Sequence, residues 1–223
     1  PVQVEHHVGR SGFLGALRQL REAVDGLDDE QLLAASRCRG WTTVDVLVHV
    51  HLGLQEMLLG VVTPVDRPVD TDAAGYWCHL PPPTGADAVA HVRFVRVMAS
   101  AYRSPAAAVA HLRPTADALA HAVGALPDGV VAFQGHAMAT GDFLATWAVE
   151  LAVHHLDLGV ELALPPPATE ALALARDTVE ALAGGALPWD NETAVLIGTG
   201  RRRPDAQQAA EAGALADRLP ALG

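Results

Sequence analysis

The chain has 223 residues, with 26 acidic residues against 15 basic ones for a formal charge of −11, and half of it is apolar. That length suits one globular domain with at most a small extension, and the composition excludes a disordered chain and a collagen-like or coiled-coil rod. Every basic residue is arginine and no basic run exceeds Arg201 to Arg203, so there is no electrostatic footprint for nucleic acid or an anionic membrane surface.

From the N-terminus, Pro1 to Arg10 holds a glutamate and two histidines where a secretory signal needs an apolar core, so no signal peptide is expected. Residues 8–27 carry Phe13, Leu14, Leu17, Leu20 and Val24 at helical spacing, which predicts a first amphipathic helix. A second helix starts at Trp41. Thr42 and Asp45 form a variant capping box around it, with Trp41 and Val46 as the staple, and Gly60 stops it after Leu59. Residues 61–85 are rich in proline and aspartate and contain Tyr76 and Trp77, which predicts a long loop whose two aromatic rings wall a site.

Helical pattern resumes from Ala86 to Tyr102, breaks at Ser104 and Pro105, and continues to Leu126 with Pro114 as a point for a kink. A glycine-bearing connection follows over Pro127 to Thr140, with a short extended piece at Val130 to Phe133. The fourth long helix spans Gly141 to Leu162 and ends before Pro165, Pro166 and Pro167. Its stretch from Phe143 to Leu164 is the most apolar in the chain, yet it contains Glu150, His154, His155, Asp157 and Glu161, so no membrane span is expected. Beyond Pro167 come a helix, a turn at Gly184 and Gly185, a short apolar piece from Ala194 to Ile197, and a last short helix from Asp205 to Leu219. The pattern predicts an all-α four-helix bundle over residues 1–164 with a small C-terminal appendage over 165–223 packed on it. Gly198-Thr199-Gly200 lacks the further glycine and the strand–helix context of a dinucleotide fingerprint.

Eleven histidines against four phenylalanines point the search for chemistry toward metal or acid–base work. The two cysteines, Cys38 and Cys78, have neither the spacing of a metal motif nor the density of a disulfide scaffold, which suits a reducing cytoplasm. Glu150 and His154 are spaced i, i+4 on the face that also carries Phe143, Trp147, Leu151 and Leu158. A carboxylate in that apolar stripe needs a cation, a mutual hydrogen bond or water. A divalent metal meets the need, and so does a plain Glu–His pair on a partly solvated face. A third ligand would come from the second helix, where His49 and His51 point to opposite sides. Periodicity prefers His51, which shares its side with Leu47, Leu54 and Leu58, whereas His49 lies with Asp45, Leu52 and Glu56.

The run Gly40-Trp41-Thr42-Thr43-Val44-Asp45-Val46-Leu47-Val48-His49 resembles one signature of the DinB-like mycothiol-dependent maleylpyruvate isomerase family. Glu150-Leu151-Ala152-Val153-His154-His155-Leu156-Asp157-Leu158 resembles its other signature, and Trp189-Asp190-Asn191-Glu192, Gly198-Thr199-Gly200-Arg201 and Ala216-Asp217-Arg218-Leu219-Pro220 resemble its ending. The resemblance implies a DinB-like four-helix bundle with a metal, usually zinc, held by His49, Glu150 and His154, and thus selects His49 over His51. Asp157 and Asp45 then become candidates to orient ligand imidazoles, or solvated helix-surface aspartates; His155 points away and reads as structural.

A set of two histidines and one glutamate leaves a coordination position open, which suits either hydrolysis or activation of a thiol. The resemblance implies the thiol, mycothiol, with an electrophilic small molecule as the second substrate. Expulsion after bond rotation gives cis–trans isomerisation; retention gives an S-conjugate. Arg201 is placed in the catalytic set as a clamp for a substrate carboxylate, with a solvated arginine cluster as its alternative. The contrasting class is a non-catalytic bundle, monomeric or homodimeric, that binds a ligand or partner with a structural metal or none.

Overall fold

The computed structural model describes residues 2–79 and 84–222, and among these the chain is helical apart from one hairpin. In order come α1 (His6–Val24), α2 (Asp29–Leu32), α3 (Thr43–Val61), α4 (Gly75–Cys78), α5 (Gly85–Ser100) and α6 (Pro105–Ala125). The hairpin β1 (Val130–Phe133) and β2 (His136–Ala139) follows, then α7 (Thr140–Leu158), α8 (Thr169–Ala183), α9 (Asn191–Gly198), α10 (Ala206–Ala212) and a 3₁₀ turn over Gly213–Arg218. The bundle is α1, α3, α6 and α7, with α7 packed on both α1 and α3 and with α8 added against α1 and α7.

Local chemistry accounts for most boundaries. Thr42 caps α3, and the Asp45 carboxylate accepts from the Thr42 amide at 2.8 Å and hydroxyl at 2.9 Å. Ser104 caps α6 ahead of Pro105 and divides the third predicted helix into α5 and α6, while α6 runs on through Pro114. α7 stops at Leu158, short of the expected Leu162, because the Arg37 amide and guanidinium take the carbonyls of Asp157 and Leu156 at 2.9 and 3.1 Å and so satisfy its last turn. The extended piece at 130–133 finds a partner in β2 through a turn at Gln134 and Gly135, both with positive φ. The loop lies along this hairpin, Val65 donating to the Val130 carbonyl and Asp70 to that of Ala137, and α4 forms within it; residues 80–83 lie outside the described residues. The apolar piece at 194–197 belongs to α9.

α3 is long and apolar enough to cross a membrane by length and composition, and here Val46, Leu47, Val50, Leu54 and Met57 are buried in the bundle. The appendage shares the core: Ala168, Ala171, Leu174, Ala175, Val195 and Leu196 join the same cluster as Phe13, Leu54 and Phe143. A second cluster of Val179, Leu187, Trp189, Ile197 and Ala212 closes the C-terminal end.

The α1–α7 contact is made by backbone. A Cβ on Gly9 would lie 2.3 Å from the Gly141 carbonyl oxygen, and one on Gly141 would lie 1.9 Å from that of Val4. This closeness draws the N-terminal segment over the start of α7, where the Val4 amide donates to Asp142 at 2.7 Å. Burial pushes the Asp142 carboxyl up to about 6, with the Asp72 charge adding to the rise and the amides of Val4 and Ala73 opposing it. The folded chain therefore keeps a proton that the unfolded chain loses near pH 4, so the group's contribution to stability falls as pH rises from 4 to 6 and is flat above. The loss is about 3 kcal/mol at about 1.4 kcal/mol per pKa unit. Denaturation of wild type and Asp142→Asn from pH 4 to 8 should show the variant gaining on wild type across that window; parallel curves would contradict it.

Candidate metal centre

α7 is buried on nearly every side, so each polar side chain on it needs a partner. Asp142 has the Val4 amide, and His155 donates from Nε2 to the Pro165 carbonyl at 2.8 Å, which makes it the structural residue that its position on the helix predicts. Glu150, His154 and Asp157 satisfy one another, one turn apart along the helix. His154 Nε2 lies 3.1 Å from Glu150 Oε1, and its Nδ1 lies 2.9 Å from Asp157 Oδ2.

The third member arrives from α3. His49 Nε2 is 3.5 Å from the same Glu150 oxygen, and one donor atom from each of His49, Glu150 and His154 lies within 4.8 Å of the other two. His49 is a quarter exposed, at the mouth of the bundle rather than in its centre. Its ring meets those of Trp41 at 5.1 Å, His154 at 4.9 Å and His91 of α5 at 5.4 Å between centroids. His51, preferred by periodicity, is buried on the α6 side with Nε2 2.8 Å from the Thr115 hydroxyl and 3.3 Å from the Gln55 amide. The apolar stripe identified the side facing the core, but the donors meet at its edge.

Electrostatics tie the group together. Burial raises the Glu150 carboxyl, and the His154 and His49 imidazoles more than reverse this and hold it well below the usual range. For His154 burial acts downward, and Glu150, Asp157 and Cys38 outweigh it to hold the imidazole well above its ordinary value. Asp157, fully buried, is raised by burial and then brought down to about 2 by His154 and Arg201. A neutral imidazole carries one N–H. Given to Asp157, it leaves a lone pair on Nε2 facing a carboxylate oxygen 3.1 Å away, an arrangement that calls for a second proton or a cation between them.

Arg201 approaches from the turn after α9, where Gly200 takes a positive φ. Its Nε donates to Asp157 Oδ1 at 3.2 Å, Nη2 to Oδ2 at 3.3 Å and Nη1 to the Thr199 carbonyl at 3.0 Å. The guanidinium is thus paired with a protein carboxylate. Asp45, a candidate to orient an imidazole, instead spends its carboxylate on capping α3. Tyr76 is buried, and its hydroxyl donates to Gln134 Oε1 at 2.8 Å, with Gln134 Nε2 donating to Glu56 at 2.8 Å. Burial and the charges of Glu150 and Glu56 push its phenol up, so Tyr76 feels the Glu150 carboxylate. Trp147 lies against Gly53, where a Cβ would come 3.1 Å from the indole ring.

Cys38, whose sequence position looked unremarkable, donates its thiol to Asp157 Oδ2 at 3.1 Å. Cys38, His154 and Asp157 form a second group with metal-ligand spacing. Its carboxylate is already neutralised by Arg201, which disfavours a cation there, whereas the ion-pair partners of Glu150 among the described residues are the imidazoles of His49 and His154.

An all-α DinB-like bundle with two histidines and a glutamate converging between its second and fourth long helices narrows the class of protein considerably. The family model for the mycothiol maleylpyruvate isomerase N-terminal domain matches residues 13–159, most of the chain, and the chain belongs to that family. No curated protein and no solved structure matches it.

Breaking the Asp157–Arg201 pair leaves a buried group uncompensated. Asp157→Ala and Arg201→Ala should each destabilise by about 3 kcal/mol, the cost of stripping one partner from a buried pair. The double variant should lose less than the sum by about 2 kcal/mol. Additive losses in chemical denaturation would show that the pair is not coupled.

Proposed function

We propose that this chain is an enzyme that uses a divalent metal, zinc, held by His49, Glu150 and His154 to activate a low-molecular-weight thiol, mycothiol, for addition to an electrophilic small molecule. The observation that carries the reading is the convergence of these three donors with His154 Nδ1 fixed by Asp157, which aims the Nε2 lone pair at the shared point. The donor set fits zinc in kind, imidazole nitrogen and carboxylate oxygen, and three protein ligands leave a position for a substrate. When bound, the metal supplies a charge that deprotonates a coordinated thiol, which makes it nucleophilic at neutral pH.

The chain's own residues do the rest. Asp157 fixes the tautomer and orientation of His154, and Arg201 works through Asp157 by keeping it ionised. Trp41 and His91 flank His49, while Tyr76 and Trp147 pack against Phe133 of the hairpin. Family membership favours the thiol over water as the activated group. Release of the sulfur after bond rotation completes an isomerisation, and its retention completes an S-transfer. Either chemistry suits a cytoplasm in which thiols stay reduced.

Metal analysis and turnover test the reading together. Purified wild type should carry near-stoichiometric zinc, His154→Ala and His49→Ala should lose it, and His51→Ala should keep it. Consumption of an electrophile should require added mycothiol. A metal-free wild type would overturn the proposal in favour of a binding bundle, and turnover without thiol would overturn it in favour of a hydrolase.

A further inference from the structure

Asp157 Oδ2 accepts from three donors: His154 Nδ1 at 2.9 Å, Cys38 Sγ at 3.1 Å and Arg201 Nη2 at 3.3 Å. Arg201 also grips Oδ1, so the guanidinium holds both oxygens of the carboxylate from one side. Such a fork fixes the plane of the group and presents Oδ2 to the imidazole. Cys38 supplies the remaining donor. It is half-buried while Asp157 is fully buried.

The position of Cys38 is built. The turn from Ser36 to Trp41 is closed by the Ser36 amide on the Trp41 carbonyl at 3.3 Å, by the Ser36 hydroxyl on the same carbonyl at 2.8 Å and by the Trp41 amide on the Cys38 carbonyl at 3.0 Å. Gly40 supplies the positive φ that the turn needs. The Ser36 hydroxyl oxygen accepts from the Cys38 amide at 3.2 Å, and Arg37 ties the turn to the last carbonyls of α7. The same turn therefore delivers Trp41 to His49 and Cys38 to Asp157.

We propose that Cys38 is a positioning residue of the metal centre: its S–H bond to Asp157 Oδ2 holds Asp157 in register with His154 Nδ1. The proposal rests on reading His154 as a metal ligand. A thiol is a weak donor, but against a fully buried carboxylate the bond it makes is strengthened and the neighbouring Asp157–His154 bond with it. Serine preserves the donor and alanine removes it.

Zinc affinity, measured by competition with a chromophoric chelator, is the first test. Cys38→Ala should bind zinc on the order of tenfold more weakly, the low end of the 10–100-fold range for groups that orient a ligand, and Cys38→Ser should stay close to wild type. Cys78→Ser, on the exposed cysteine, should match wild type. Equal affinity in Cys38→Ala and wild type overturns the proposal, as does equal weakening in Cys38→Ser and Cys38→Ala. A second measurement needs no metal: the imidazole N–H proton of His154 in the metal-free protein, observed by NMR. It should persist in wild type and Cys38→Ser and exchange faster in Cys38→Ala, and an unchanged signal overturns the proposal. If wild type takes up no zinc, the functional reading fails by itself, and the imidazole signal still decides for or against Cys38.

Discussion

The structure turns on one buried carboxylate. Asp157 is wholly removed from solvent, and a carboxylate in that position costs several kcal/mol unless it is paired and hydrogen-bonded. Its partners come from three separate parts of the chain: His154 from the preceding turn of α7, Cys38 from the turn before α3, and Arg201 from the segment after α9. Docking those segments on the end of α7 is therefore a condition for burying Asp157 at all. The N-terminal half, the central helix and the appendage meet at this residue, and the candidate metal centre lies one imidazole ring away.

That arrangement explains why His154 serves as an axis. Asp157 lies beyond one ring nitrogen and Glu150 beyond the other, and only the first carboxylate has a permanent cation on its far side. Asp157 is neutralised by Arg201 and acts as an acceptor of fixed geometry. Glu150 faces two imidazoles and no arginine within ion-pair distance among the described residues, so its charge is matched only when a proton or a metal enters between them. Two carboxylates thus stand in different surroundings along one helix, one held by an arginine and the other set against imidazoles.

Much of this was legible in the sequence, and the missing parts share a cause. The helical stripe put Glu150 and His154 on one face, the Thr42 and Asp45 pattern opened α3, and the Ser104-Pro105 break divided the third helix. Periodicity misjudged the histidines of α3 because it ranks residues by apolar company, and a site at the rim of a bundle sits where that company thins. His51 satisfies the apolar rule by bonding Thr115, and His49 departs from it by facing Glu150. The roles of Cys38 and Arg201 depend on contacts 119 and 44 residues away along the chain, for which a single sequence carries no local signal. Asp45 shows the converse, since a local capping role fully explained it.

The family match ends at residue 159, so it spans His49, Glu150, His154 and Asp157 and stops before Arg201. The bundle thus supplies the donors, and the segment beyond it supplies the charge that makes one of them rigid. The opposite wall is built differently. α5, which brings His91 to the His49 ring, has Val95 as its one fully buried side chain, whereas α7 is buried almost throughout. A change on α5 alters the surroundings of His49 at little cost to the core, while a change around Asp157 disturbs the orientation of His154 and the buried pair with Arg201 at once. The surroundings of His49 are therefore freest to vary on the α5 side, and the geometry of His154 is fixed on the side where α7 meets the appendage.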